Sequence, residues 1–206
     1  NTPLDEILAK KPAGIILSGG PSSVNAPDAH LVEKELFDSG IPILGICYGM
    51  QLTAHLLGGK VSKGVKGEYG KSELEIVRSN PLFTGVARKS TVWMSHFDEV
   101  EEVPEGFEIS GRSGVIAAMA NEKKNIFAIQ FHPEVTHTEE GAKMLENFVL
   151  NICKAEKNWK LTGYIDRTIA EIREKVGDEK VILGLSGGVD SSVAAVLIHK
   201  AIGDQL

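Results

Sequence analysis

Cysteine is scarce in this chain. Cys47 and Cys153 are the only two in 206 residues. They have neither the spacing of metal ligands nor the number for a disulfide framework, which suits a reducing compartment and makes a cytoplasmic protein the expectation. Long apolar runs are missing as well: none approaches the roughly 18 residues of a membrane span, so no membrane partner is expected. Excess positive charge is also absent. The formal net charge is −6, which argues against non-specific attraction to nucleic acid or anionic lipid, so any phosphate ligand must be held locally. The sequence shows no signal peptide, internal repeat or low-complexity tract. It opens Asn-Thr-Pro without an initiator Met, and the expectation is a piece of a longer protein.

What is present is an ordinary globular composition, 42% hydrophobic and 24% charged, close to average usage. Short apolar runs alternate with amphipathic stretches. Residues 14–18 (GIILS) and 41–46 (IPILGI) have the continuous apolar character of buried parallel strands. Between them, residues 26–40 carry helical spacing at Leu31, Val32, Leu36 and Phe37, with Gly40 as a C-cap. Residues 50–57 predict a short helix stopped by Gly58 and Gly59. Residues 61–115 break into extended pieces, predicting a β-rich elaboration of the sheet. Residues 125–131 (NIFAIQF) form a further buried strand, and residues 139–153 place Ala142, Leu145, Phe148, Val149 and Ile152 on one helical face.

This alternation predicts an α/β layered domain with a largely parallel sheet over residues 1–153. Residues 154–160 read as a polar linker in which Trp159 packs between domains. Residues 161–206 begin a second unit, with a helix over 164–176 ended by Gly177, a strand over 181–185, and a helix over 192–202 ended by Gly203.

The sequence GICYG sets Cys47 between Gly45 and Gly49 at a strand-to-helix junction, the arrangement of a nucleophile elbow. The glycines relieve a crowded turn, and the helix N-terminus is expected to favour the thiolate. A buried structural cysteine is the plain alternative for a lone Cys, and the paired glycines favour the nucleophile. A cysteine nucleophile needs a base, and the base needs an orienting acceptor. His132 and Glu134, in HPE after the strand at 125–131, lie two residues apart and share a face of extended chain, which Pro133 restrains. Alone, His132 reads as a surface or cap histidine. At the same sheet edge as Cys47, where open α/β folds bind ligands, the three form a candidate triad. The glycine amides of SGGP (18–21) are candidate oxyanion donors. Asp98 and Glu99 read as a solvated turn, and His137 has no identifiable metal-ligand partners.

Residues 186–192, SGGVDSS, lie between the strand at 181–185 and a helix, where amides and the helix dipole can hold phosphate. The loop lacks the lysine and spacing of G-x-x-x-x-G-K-[ST], so a different nucleotide chemistry is needed. A Gly-rich turn without a ligand is the alternative.

SGGP, GICYGMQ and FHPE, in this order, closely resemble the class I glutamine amidotransferase family over residues 13–153. The resemblance implies a flavodoxin-like layered parallel or mixed sheet. It also implies glutamine hydrolysis through Cys47, His132 and Glu134, an oxyanion site from the amides of Gly20 and Tyr48, and glutamine binding by Gln51, Ser95, His96 and Phe97, without a cofactor. That family opens with a further strand and helix which the sequence lacks. SGGVDSS resembles the pyrophosphate loop of the ATP pyrophosphatases, an adenine nucleotide α-hydrolase-like fold. This implies ATP binding by Ser186, Gly187, Gly188, Val189, Asp190, Ser191 and Ser192, with Mg2+ at Asp190. The pairing of the two resembles the glutamine-hydrolysing GMP synthetase family. It implies GMP synthesis from XMP (xanthosine 5′-phosphate), ATP and glutamine, and a homodimer formed through a region beyond Leu206. A glutaminase serving a pyrimidine-nucleotide or chorismate acceptor, and an inactive regulatory relative, remain alternatives.

Overall fold

The computed structural model describes residues 2–158 and 163–206. These fall into two compact units, Asn1–Glu156 and Lys157–Leu206. Trp159, expected to pack between domains, lies outside the described residues, as do the end of the expected 154–160 linker and the first residues of the unit expected from 161.

The first unit is built on a seven-stranded mixed sheet, ordered β1-β2-β7-β6-β5-β3-β4. Strands β1 (Ile15–Leu17), β2 (Ile43–Ile46) and β7 (Ile126–Ile129) run parallel. The remaining strands are β3 (Lys60–Ile76), β4 (Lys89–Glu102), β5 (Glu108–Ser113) and β6 (Val115–Asn121), and they join by antiparallel pairing. Every residue of β2 and β7 is buried, as the continuous apolar runs require of strands covered on both faces.

The two-residue side-chain period divides these strands between two cores. Leu44, Ile46, Phe127 and Ile129 point to one face and pack with Phe131, Met144 and Phe148. Ile43, Ile126 and Ala128 point to the other, against Met50 and Ala54 of helix α2 (Tyr48–Leu56), Leu36 and Phe37. A short first helix, α1 (Leu4–Ala9), adds Leu4 and Ile7 to this second core.

Three local expectations are corrected. Residues 26–40 form a 3-10 turn at Lys34–Asp38 in place of a longer helix. Pro27 brings no N–H, the carbonyl of His30 accepts the Tyr48 hydroxyl (3.2 Å), and Leu31 N turns back to Ala29 O. The groups a helix would use are thus committed elsewhere, and Val24 and the half-buried Val32 pack on Tyr48 and Leu52. The helix over 139–153 forms as α3 (Gly141–Glu146) continued by a π-helical turn, Asn147–Ile152. The wider turn rotates the buried face. Ala142 and Val149 are exposed, and Met144, Asn147 and Phe148 are buried. The strand expected at 181–185 does not form. No strand lies beside it among the described residues of its unit, and a strand without a partner has no ladder to hold it; Ile182 is 99% exposed.

The second unit contains α4 (Tyr164–Val176) and α5 (Val189–Ile202), each followed by a glycine at positive φ. Arg173 Nε donates to Ala201 O at 2.9 Å, and Gln205 Nε2 donates to Gly177 O at 2.9 Å. No helix among the described residues is long and apolar enough to cross a membrane.

Asn147 is fully buried, and its Nδ2 donates to Leu82 O (2.9 Å) and Thr84 O (2.8 Å). Asn147→Ala strands two carbonyls, each costing about 1–3 kcal/mol when unsatisfied. The urea midpoint, followed by circular dichroism, is expected to fall with little change in slope.

Candidate active site

Strand β2 ends at Ile46 and α2 begins at Tyr48, so Cys47 alone makes the connection. It takes φ 52°, ψ −106°, a strained conformation for a residue with a side chain. The strain is held by its neighbours. Cys47 N donates to Ile129 O (2.8 Å), and its carbonyl accepts from Met50 N (2.9 Å) and Gln51 N (3.1 Å). The glycines either side are required by contact: a Cβ on Gly49 would lie 2.0 Å from Leu17 O, and one on Gly45 would lie 2.6 Å from Gly49 O. The Cys47 thiol is buried and donates to Ser95 O at 3.5 Å.

His132 follows β7 and is fixed to β4, its N donating to Trp93 O at 3.0 Å. Thr138 completes the clamp: its hydroxyl donates to His132 O (2.5 Å) and accepts from Trp93 N (3.1 Å). His132 Nδ1 lies 2.7 Å from Glu134 Oε1. A carboxylate accepts, so Nδ1 carries the hydrogen and Nε2 is left as the base. Cys47 and His132 border one cavity. Gly19 stands against both, since a Cβ there would lie 2.9 Å from His132 Cε1 and 3.6 Å from Cys47 Cβ.

Burial pushes the Cys47 thiol up, the Tyr48 amide pulls it down, Glu134 raises it and Gln130 lowers it, with a net upward result. This corrects the expectation of a lowered thiol. Desolvation outweighs the helix N-terminus, and thiolate formation falls to the base.

The cavity, about 570 Å³, gathers Gly20, Cys47, Gln51, Ser95, His96, Phe97 and His132, with Lys63, Tyr69 and Asp98 on its wall. Glu134 stands behind His132. Tyr48 offers its amide to the Cys47 sulfur while its ring meets Gly20. Two of the expected glutamine contacts are already engaged with protein. Gln51 Nε2 donates to Asp98 O (2.7 Å) and Gln130 Oε1 (3.4 Å). His96 is buried, with Nδ1 donating to Asp98 O (3.0 Å) and Nε2 lying 3.3 Å from Glu68 Oε2. Asp98 and Glu99 belong to β4 and are not a solvated turn; the Asp98 carboxylate accepts from the Ser23 hydroxyl. His137 stacks on Trp93, centroids 4.5 Å apart.

In the second unit, Gly187 takes φ +80° and Gly188 is the N-cap of α5 without a side-chain cap. The N–H groups of the first turn are therefore uncapped. Ser186 Oγ donates to Ser191 Oγ (3.0 Å), and Ser191 and Ser192 hydroxyls return to Gly188 O (3.0 and 2.8 Å). Val189 and Asp190 are exposed in that turn. Among the described residues, no three His, Cys, Asp or Glu gather into a metal-binding group.

The sequence motifs do not single out Gln130, Thr138 or the packing role of Gly19. Gln130 shares the strand face of His132 by the two-residue period, a signal that the sequence does contain. Thr138 follows an irregular loop and carries none.

The profile of the glutamine amidotransferase class-I family matches residues 1–152, and that of the NAD synthase family matches residues 161–206. The chain is 57% identical over 205 residues to GMP synthase (glutamine-hydrolyzing) of Brachyspira hyodysenteriae, covering 98% of this chain and 40% of that protein. It is 54% identical over 208 residues to the Aquifex aeolicus protein of the same name, covering 100% of this chain and 41% of that one. The chain thus spans about two-fifths of the length of these relatives. The crystal structure of a candidate GMP synthase component from Thermoplasma acidophilum superposes with a TM-score of 0.63. It is 31% identical, over 73% of this chain and 77% of that one. A Thermotoga maritima glutamine amidotransferase shares the fold, with a TM-score of 0.55 and 21% identity, over 100% of this chain and 80% of that one.

Two measurements test the elbow. Because its thiol is pushed above the ordinary value of 9.0, iodoacetamide alkylation of Cys47 is expected to be slow near neutrality and to keep rising above that pH. Cys153, pushed up to about 11 by burial, is expected to respond later. Gly49→Ala drives a methyl into the Leu17 backbone and is expected to cost about 1–3 kcal/mol or more. It should also abolish the selective labelling of Cys47.

Proposed function

Because this chain belongs to the class-I glutamine amidotransferase family, we propose that it hydrolyses glutamine with Cys47, His132 and Glu134. We further propose that the ammonia serves the amination of XMP in a longer, cytoplasmic, homodimeric enzyme: XMP + ATP + glutamine + water give GMP + AMP + pyrophosphate + glutamate. The observation that carries the first half is the strained Cys47 elbow sharing one cavity with a His132 ring held 2.7 Å from Glu134. The second half is supported by similarity to proteins named GMP synthase that runs through both units.

His132 Nε2 takes the thiol proton, overcoming the burial that holds Cys47 neutral. The sulfur attacks the side-chain amide carbon of glutamine, and the developing oxyanion is met by the amides of Gly20 and Tyr48. His132 returns the proton to the leaving nitrogen, releasing ammonia and leaving a γ-glutamyl thioester. It then deprotonates the water that frees glutamate. Glu134 holds the imidazole tautomer throughout. Gln51, Ser95, His96 and Phe97 shape the glutamine side of the cavity, and Gln51 and His96 act chiefly by fixing the Asp98 carbonyl.

We assign residues 1–153 to this activity, 154–160 to a linker and 161–206 to the beginning of an ATP pyrophosphatase unit. When bound, ATP supplies the adenylyl group that activates the acceptor oxygen. The uncapped amides at the start of α5, with Ser186, Gly187, Gly188, Ser191 and Ser192, suit its pyrophosphate. By the resemblance of this loop to the ATP pyrophosphatases, the exposed carboxylate of Asp190 in the same turn would hold Mg2+.

The test uses the full-length enzyme. AMP release from ATP with ammonia should require XMP. Cys47→Ala should lose glutamine-driven GMP formation by about 10³-fold or more and keep the ammonia-driven rate. AMP release without regard to XMP, from an enzyme that hydrolyses glutamine, would assign another acceptor. No glutamine hydrolysis by a folded enzyme would indicate an inactive relative.

A further inference from the structure

Gln130 is fully buried directly after β7, its backbone N donating to Ala117 O of β6 at 2.9 Å. The orientation of its side-chain amide is fixed by a chain of donors and acceptors. The Asp98 carbonyl can only accept, so the Gln51 atom 2.7 Å from it is the amide nitrogen. The second hydrogen of that nitrogen reaches Gln130 at 3.4 Å, so the Gln130 atom there is Oε1. The Gln130 NH2 group therefore faces the other way. It is sealed from solvent and has no hydrogen-bond partner among the described residues. A buried amide hydrogen without an acceptor costs about 1–3 kcal/mol, and an apolar side chain would avoid that cost.

We propose that Gln130 is a positioning residue for the nucleophile, its NH2 group turned toward the Cys47 sulfur and donating to it once the sulfur is a thiolate. This rests on Cys47 being the nucleophile. Gln51, one helical turn after Cys47, then links strand β4 to the sulfur through a single run of hydrogen bonds: Asp98 O, Gln51, Gln130, Cys47. The Gln130 side chain lowers the thiol against the effect of burial, while the neutral thiol takes no hydrogen bond from it, so the contact belongs to the thiolate. Several other groups face the sulfur. The Tyr48 amide comes from α2, His132 with Glu134 behind it from the loop after β7, and the Ser95 carbonyl from β4. His96, with Glu68 beside its Nε2, and Lys63 and Asp98 line the same cavity as the sulfur. The Tyr48 amide is a second donor to the sulfur, carried by the backbone and therefore left in place when Gln130 is changed.

The experiment follows iodoacetamide alkylation of Cys47 against pH in the full-length enzyme, with the modified site read by mass spectrometry. Gln130→Met keeps the volume and removes the donor. A hydrogen bond to a charged group is worth about 1.5–3 kcal/mol, so the alkylation midpoint should rise by about one to two pH units, with the rate above both midpoints unchanged. Gln130→Glu, nearly isosteric, should raise it further by adding negative charge.

A residue that only supports packing would lower the melting temperature and change the rate at all pH values, leaving the midpoint in place. Folded Gln130→Met or Gln130→Glu protein with the wild-type midpoint overturns the proposal, as does a downward shift. If Gln130→Met does not fold, Gln130→Glu alone decides. The amidotransferase reading fails separately. A wild-type enzyme that does not hydrolyse glutamine, yet shows the Gln130-dependent shift, refutes that reading and leaves the thiolate contact standing.

Discussion

The site depends on one contact between backbones. Helix α2 approaches β1 so closely that Gly49 lies against the Leu17 carbonyl, where a Cβ would be 2.0 Å away. That proximity leaves a single residue, Cys47, to turn the chain from β2 into α2. The turn fixes its φ at 52° and brings its sulfur under β4. A looser packing of helix on strand would allow a longer connection, and the cysteine would regain its ordinary conformational freedom. The strain at the nucleophile is thus imposed by packing outside it.

Much of this was legible in the sequence because its signals were local. The continuous apolar runs at 43–46 and 126–129 announce strands buried on both faces. GICYG and HPE carry their geometry in their spacing, and α4 and its Gly177 stop fall where periodicity and composition put them. The misreadings came from partners distant in sequence. The carbonyl of His30 is taken by Tyr48, which no periodicity at 26–40 reveals. The π turn at Asn147–Ile152 shifts the buried face of a helix whose pattern assumed an unbroken α period. Residues 181–185 have strand composition and no strand beside them among the described residues. Asp98 reads as a turn residue until β4 is seen to run through it.

Both dipoles and a charge act on the buried Cys47 thiol. Burial raises it most, the Tyr48 amide opposes this, the Glu134 charge raises it further, and the Gln130 side chain lowers it. The two dipoles need no reorganisation when charge moves, which is the condition under which fixed dipoles are most effective. The orientation of the Gln130 side chain follows, through Gln51, from one carbonyl, that of Asp98. It accepts from both Gln51 and His96 and so determines which way each side chain points.

Strand β4 has a further consequence. The carbonyl of Trp93 holds His132, and the carbonyl of Ser95, two residues on, receives Cys47. Carbonyls two residues apart on a strand point the same way and are separated by roughly 7 Å. Nucleophile and base are therefore registered against successive teeth of one rack. The backbone of the base and the thiol of the nucleophile thus take their places from the same strand. A shift in the register of β4 would therefore move both partners of the reaction at once, whereas a substitution on the cavity wall that leaves β4 in register need disturb neither.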